Sequence, residues 1–159
     1  VSAVYACQRA SYSARMTDPI GIYNWLRLDE RLTTSGQPAE AELADIRTLG
    51  VDHVVNLGLH THEKALPDEA ASVTALGMTY VHMPVDFKNP TAADLSAFCD
   101  LMDALRDRTI HVHCIANYRV SAFLYRYRVD RLGWDPQAAR PDLNAVWTPE
   151  GPWADVVEA

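Results

Sequence analysis

One stretch limits what this chain can become: Thr109-Ile110-His111-Val112-His113-Cys114-Ile115-Ala116-Asn117-Tyr118-Arg119-Val120-Ser121. Its β-branched start predicts a strand over 109–113 that ends at a cysteine. Beyond a short turn, Phe123, Leu124 and Tyr127 carry a helical pattern to about Leu132. A strand breaking into a tight loop and a helix start gathers backbone N–H groups around one point, with the helix dipole aimed at it. Such a nest holds an oxyanion and favours a thiolate. Cys114 is therefore expected as a nucleophile at the mouth of a backbone ring. The plainer alternative is a buried structural cysteine.

Elsewhere strand-like and helix-like stretches alternate. Trp25 to Leu28 suggests a short strand or one helical turn, and Ser35-Gly36-Gln37-Pro38 reads as a turn into a helix over 39–49 that stops at Gly50. A buried strand is expected over 51–57. A helix opened by Pro67-Asp68-Glu69 follows, its acids favoured by the dipole, and Gly77 ends it. A third strand covers 78–85, and Thr91 caps a helix to about Arg106. This alternation predicts an α/β fold: a single three-layer domain over 1–159, with a mostly parallel central sheet flanked by helices. Residues 1–20 read as an irregular segment. The Trp/Pro-rich 135–159 reads as a tail of short helices packed on the body. Ligands of open parallel sheets bind beyond the carboxyl ends of strands, where Cys114 lies with the loops starting at Gly58 and Asp86.

His113-Cys114, a short loop, Arg119 and Ser121 resemble the His-Cys-x5-Arg-Ser/Thr signature of the cysteine-dependent protein tyrosine phosphatase superfamily. From Leu32-Thr33-Thr34-Ser35-Gly36-Gln37-Pro38 to the helix after Ser121, the chain looks most like small dual-specificity-like bacterial phosphatases related to beta-lactamase-hydrolase-like proteins. The resemblance implies hydrolysis of phosphomonoesters through a phosphocysteine, with an aspartate as general acid and no metal or cofactor. It makes His113 a residue that positions the loop 113–119 (His113, Cys114, Ile115, Ala116, Asn117, Tyr118, Arg119). The planar fork of Arg119 suits phosphoryl oxygens, and Ser121 is a candidate donor to the departing sulfur. Asp86, in the loop after the 78–85 strand, is the general-acid candidate. Asp94 is a second candidate that a first-turn helix position also explains.

Four residues separate Cys114 from Arg119, and without a gap Val120 falls at the family's arginine position. Asn117, the non-glycine type that best tolerates a left-handed backbone, suits a shortened turn. A Cys-x4-Arg loop also resembles that of rhodanese-type sulfurtransferases, so persulfide chemistry stands as one alternative. An anion-binding, catalytically weak phosphatase-like module is the other.

The formal net charge of −7 and the absence of a Lys/Arg cluster argue against a general nucleic-acid binder. No apolar run approaches the ~20 residues that span a bilayer. The expected partners are phosphate or another oxyanion in the loop, and a phosphorylated small molecule or protein as substrate. Three cysteines form no paired framework or zinc pattern. Cys99 falls on the apolar stripe of the 91–106 helix. Val4-Tyr5-Ala6 before Cys7 resembles the end of a signal peptide without its apolar region, leaving a soluble cytoplasmic or periplasmic protein. His60-Thr61-His62 and His111-Val112-His113 are HxH pairs without further ligands in suitable spacing. The expectation is no metal, with His60 and His62 lining the pocket mouth.

Overall fold

The structure, a computed structural model, describes residues 17–159. Cys7, the signal-peptide resemblance and most of the 1–20 segment lie outside the described residues. Five strands form one sheet: β1 (Leu26–Arg27), β2 (Leu32–Ser35), β3 (His53–Asn56), β4 (Thr79–His82) and β5 (Ile110–His113). Their spatial order is β1-β2-β5-β3-β4, antiparallel only between β1 and β2. Six helices accompany them: α1 (Glu40–Thr48), α2 (Glu69–Ala75), α3 (Ala92–Ala104), α4 (Tyr118–Asp130), α5 (Pro136–Asn144) and α6 (Pro152–Glu158). The α/β domain with a mostly parallel sheet is the one that the alternating pattern predicts.

Side-chain alternation along the strands creates two cores. Val54 joins Leu43 and Ile46 of α1 and Val73 of α2 on one face. Val55 and Val112 join Phe98 of α3, Phe123 of α4, Leu143 of α5 and Trp153 of α6 on the other. The sheet is thus the middle of three layers. Helix starts follow the sequence signals closely: Thr91 and Asp94 form a reciprocal capping box at α3, which gives Asp94 a structural task. Gly50 and Gly77 adopt positive φ just past α1 and α2.

The strand β2 is a correction. Its residues, Leu-Thr-Thr-Ser, carry no apolar alternation and were not expected to pair. They are buried because β5 supplies their partners: in register, Thr33 lies beside His111 and Ser35 beside His113. The Thr33 hydroxyl lies 2.8 Å from His111 Nδ1, and Ser35 Oγ 2.8 Å from Nε2. Ser35 gives its hydrogen to the Gly36 carbonyl. Nε2 is therefore the donor to Ser35, Nδ1 accepts from Thr33, and the ring is neutral. Burial, and then the electrostatic influence of the neighbouring His113, hold His111 well below the usual imidazole range.

Just past β2 the chain passes under the loop after β5. Gln37 N–H donates to the Ile115 carbonyl at 3.0 Å and Gly36 N–H to the Tyr23 carbonyl at 2.8 Å. A Cβ at position 36 would come within 2.6 Å of the Ile115 carbonyl oxygen.

Two outcomes follow. Gly36→Ala forces backbone apart and lowers stability by about 1–3 kcal/mol in denaturant titration. An unchanged midpoint would show that the crossing is loose. Because the folded His111 resists protonation, the unfolded chain binds the extra proton once pH falls below 6.5. Stability then declines with acidification from that point, by at most about 1.4 kcal/mol per pH unit from this group. Urea midpoints at pH 7, 6 and 5 measure that slope, and His111→Gln should flatten it.

Candidate functional site

Cys114 leaves the carboxyl end of the central strand β5, and Asn117 begins α4 with φ 66° and ψ 7°. That left-handed turn compresses the connection to Cys-x4-Arg, and its Asn side chain does no capping. Its Nδ2 instead donates to the Asn24 carbonyl at 2.9 Å and to Thr34 Oγ1 at 3.0 Å. Asn24, the other left-handed non-glycine among the described residues, returns a bond from its own Nδ2 to the Ala116 carbonyl at 2.9 Å. Two asparagines therefore clasp the outer side of the loop, while Gly36 and Gln37 hold its underside. No acceptor among the described residues takes the N–H groups of Ile115, Ala116, Asn117 or Tyr118.

His113 is fully buried. Its Nδ1 faces the Cys114 carbonyl at 3.0 Å and its Nε2 faces Glu69 Oε2 at 2.7 Å. Glu69, at the first turn of α2, is itself buried and accepts from Gln37 Nε2 at 2.7 Å. Burial alone would raise its pKa, but the hydrogen bond and charge of His113, with Gln37 and Tyr80, bring it below the usual carboxylate value. The sequence reading explained Glu69 by the helix dipole and missed this pair. No sequence signal marks it, since Glu69 and His113 lie 44 positions apart and meet only in the fold.

Arg119 ties this loop to the one after β4. It is 6% exposed, its Nη1 donates to the Val85 carbonyl at 2.8 Å, and its guanidinium lies 5.6 Å from the Phe87 ring centroid. Its buried Nε has no hydrogen-bond partner. Asp86, between Val85 and Phe87, is exposed, and its Oδ1 accepts from Lys88 N–H at 2.9 Å. The structure thus brings Arg119 and the Asp86 loop together.

Other residues stand differently. The Cys114 side chain, expected at the mouth of the ring, is fully buried and joins Val85, Phe98, Val112 and Val120 in the α3/α4 core. Ser121 donates to the Tyr118 carbonyl at 3.1 Å and accepts from Trp147 Nε1 at 3.1 Å. His60 stacks on His82 with centroids 3.6 Å apart and meets the Tyr80 hydroxyl at 2.9 Å. His62 accepts from Lys64 N–H. Neither His60 nor His62 makes a hydrogen bond or ring contact with residues 113–119. Tyr80 is pushed up to about 12, chiefly by burial, with the Asn56 bond opposing and the Glu69 charge assisting. Among the described residues no group of three or more His, Cys, Asp or Glu side chains could hold a metal ion. No helix among them is long and apolar enough to cross a membrane.

Known proteins resemble this chain in fold and sequence. A candidate phosphatase (DUF442) of Shewanella putrefaciens CN-32 superposes with a TM-score of 0.76 at 34% identity, covering 87% of this chain and 91% of that one. The structure of P. aeruginosa TpbA, a Cys-to-Ser form in complex with pTyr, matches with a TM-score of 0.61 over 85% of this chain and 88% of that one. At 19% identity that likeness concerns the fold. A beta-lactamase hydrolase-like protein of Agrobacterium fabrum (strain C58) is 32% identical over 92 residues, 56% of this chain and 21% of that protein. This chain therefore spans about a fifth of that relative's length. The model of the family described as "DSP-PTPase phosphatase fused to NAD+ kinase" matches residues 23–145, and the chain belongs to that family.

Proposed function

We propose that this chain is a cysteine-dependent phosphatase acting on phosphomonoesters through a phosphocysteine. The observation that carries the reading is Arg119. It is buried, is joined to the Asp86 loop through Val85, and keeps an Nε donor without a partner beside a loop of unengaged amides. A guanidinium in that situation lacks an acceptor, and a phosphoryl oxygen supplies one.

In the proposed reaction, the sulfur of Cys114 attacks phosphorus in line with the ester oxygen. The S–P bond forms as the P–O bond breaks, and Asp86 gives its proton to the leaving oxygen. The loop amides and Arg119 hold the charge on the non-bridging oxygens. Water then attacks phosphorus, Asp86 takes its proton, the S–P bond breaks, and phosphate leaves. His113, held by Glu69, fixes the Cys114 carbonyl and so the start of the loop. Donation from Ser121 to the departing sulfur requires its hydroxyl to swing off the Tyr118 carbonyl. His60 and His62 stand on the loop after β3. The pTyr bound to the P. aeruginosa relative supports phosphorylated side chains as one substrate class.

The buried Cys114 favours a second reading, an anion-binding module with little turnover.

Assays separate these. The wild type should hydrolyse p-nitrophenyl phosphate with inhibition by vanadate, and Cys114→Ser should fall to background. Asp86→Asn should lose about 10²–10⁴-fold in kcat/KM on phenyl phosphate, whose leaving oxygen needs the proton. Arg119→Lys should weaken vanadate inhibition about 10–100-fold. Phosphate binding without turnover supports the module instead. Sulfur transfer from thiosulfate to cyanide, without phosphatase activity, returns the chemistry to the sulfurtransferase alternative.

A further inference from the structure

The two carbonyls flanking Asp86 are both held, and by different parts of the chain. Val85 accepts from Arg119 of α4. Phe87 accepts from Trp153 Nε1 of α6, at 2.7 Å. Trp153 lies beyond residue 145, outside the stretch matched by the family model. It heads the fully buried side chains in size, with its ring 5.8 Å from Phe87 and 5.3 Å from Phe123. A second tail indole, Trp147, lies flat on Tyr118 at 4.3 Å and donates to Ser121. The tail thus touches the loop of Asp86 and the loop of Cys114 at once.

We propose that Trp153 is a positioning residue for Asp86, its indole N–H fixing the carbonyl after the acid and so the direction in which the carboxyl points. This rests on the phosphatase reading above. A tryptophan needed only to fill the core requires apolar neighbours, and Phe123 and Phe87 supply them. The bond to a loop carbonyl is a separate element, and it constrains the segment whose only internal ties are short. Those ties are Lys88 N–H to Asp86 Oδ1 and Asn89 N–H to the Asp86 carbonyl. With Arg119 on one side and Trp153 on the other, the aspartate occupies a peptide segment anchored at both ends. Its carboxyl is then aimed before substrate arrives.

General acid catalysis matters most for a poor leaving group, which makes the inference measurable. Trp153→Phe keeps a ring in the core and removes the N–H. Its kcat/KM on phenyl phosphate, which reports formation of the phosphocysteine, should drop about tenfold, the scale of one neutral hydrogen bond, while that on p-nitrophenyl phosphate, whose leaving oxygen needs little protonation, changes by less than about twofold. Exchange of the Lys88 and Asn89 amides should quicken in the same variant. Val157→Ala loosens the same helix but leaves the indole, and should show neither the leaving-group split nor the faster exchange. Equal losses on both substrates, or the same split in Val157→Ala, would overturn the positioning role. If the wild type hydrolyses neither ester, the phosphatase reading fails, and unchanged loop exchange in Trp153→Phe then overturns the latch independently. Should Trp153→Phe not fold, exchange of the wild-type Trp153 indole N–H decides: a rate like that of free indole removes the bond on which the inference stands.

Discussion

The candidate site depends on a close crossing of two backbones. The Ile115 carbonyl sits over Gly36 and takes the Gln37 N–H. Only a residue without a side chain leaves room for that approach. From this contact the other arrangements follow. With Ile115 C=O turned toward β2, the loop amides are left without protein acceptors, and Asn117 must turn left-handed to start α4. The polar strand β2 becomes a support for the loop, although nothing in its composition suggests a buried element.

Below that crossing, polar groups on one face of the sheet are matched in pairs. His111 and His113 are two apart on β5 and point to the same layer, yet their surroundings differ. His111 lies between two hydroxyls that leave it neutral. His113 faces a carbonyl on one side and a carboxylate on the other. Burying Glu69 without that partner would be costly, and the pair is closed off further by Gln37. This arrangement gives the Ser-Gly-Gln-Pro turn a physical role. Ser35 holds His111, Gly36 admits the loop, and Gln37 reaches both Ile115 and Glu69.

Much of this architecture was legible in the sequence. Periodicity and caps mark β3, β4, β5 and helices α1 to α4, because each carries an apolar face or a terminating residue close to its boundary. The strand–Cys–loop–Arg–helix stretch marks the loop for the same reason. What the sequence hides depends on contacts between distant positions. Thr33 and Ser35 look like loop residues until His111 stands beside them. Glu69 looks like a solvated first-turn acid until α2 lays it against β5. For Cys114 the sequence leaves two readings, a nucleophile at the loop mouth and a buried structural cysteine, and the fold buries the side chain among Val85, Phe98, Val112 and Val120.

The four-residue spacing between Cys114 and Arg119 is best understood through the groups outside the loop. A left-handed residue at the helix start ordinarily leaves the first turn poorly held, because an N-cap side chain normally accepts from the amides there. Asn117 has no such bond. Its side chain faces away, into Asn24 and Thr34, and the Asn24 side chain holds Ala116 in return. The first amides of the helix are thereby left without a side-chain cap. Restraint that a longer loop would provide internally comes instead from the 23–24 turn, from β2 and from the tail indoles. Arg119, on the first turn of α4, can then extend to Val85 and keep Nε without a protein partner. A four-residue loop can thus hold a fixed shape when its rigidity is supplied from outside.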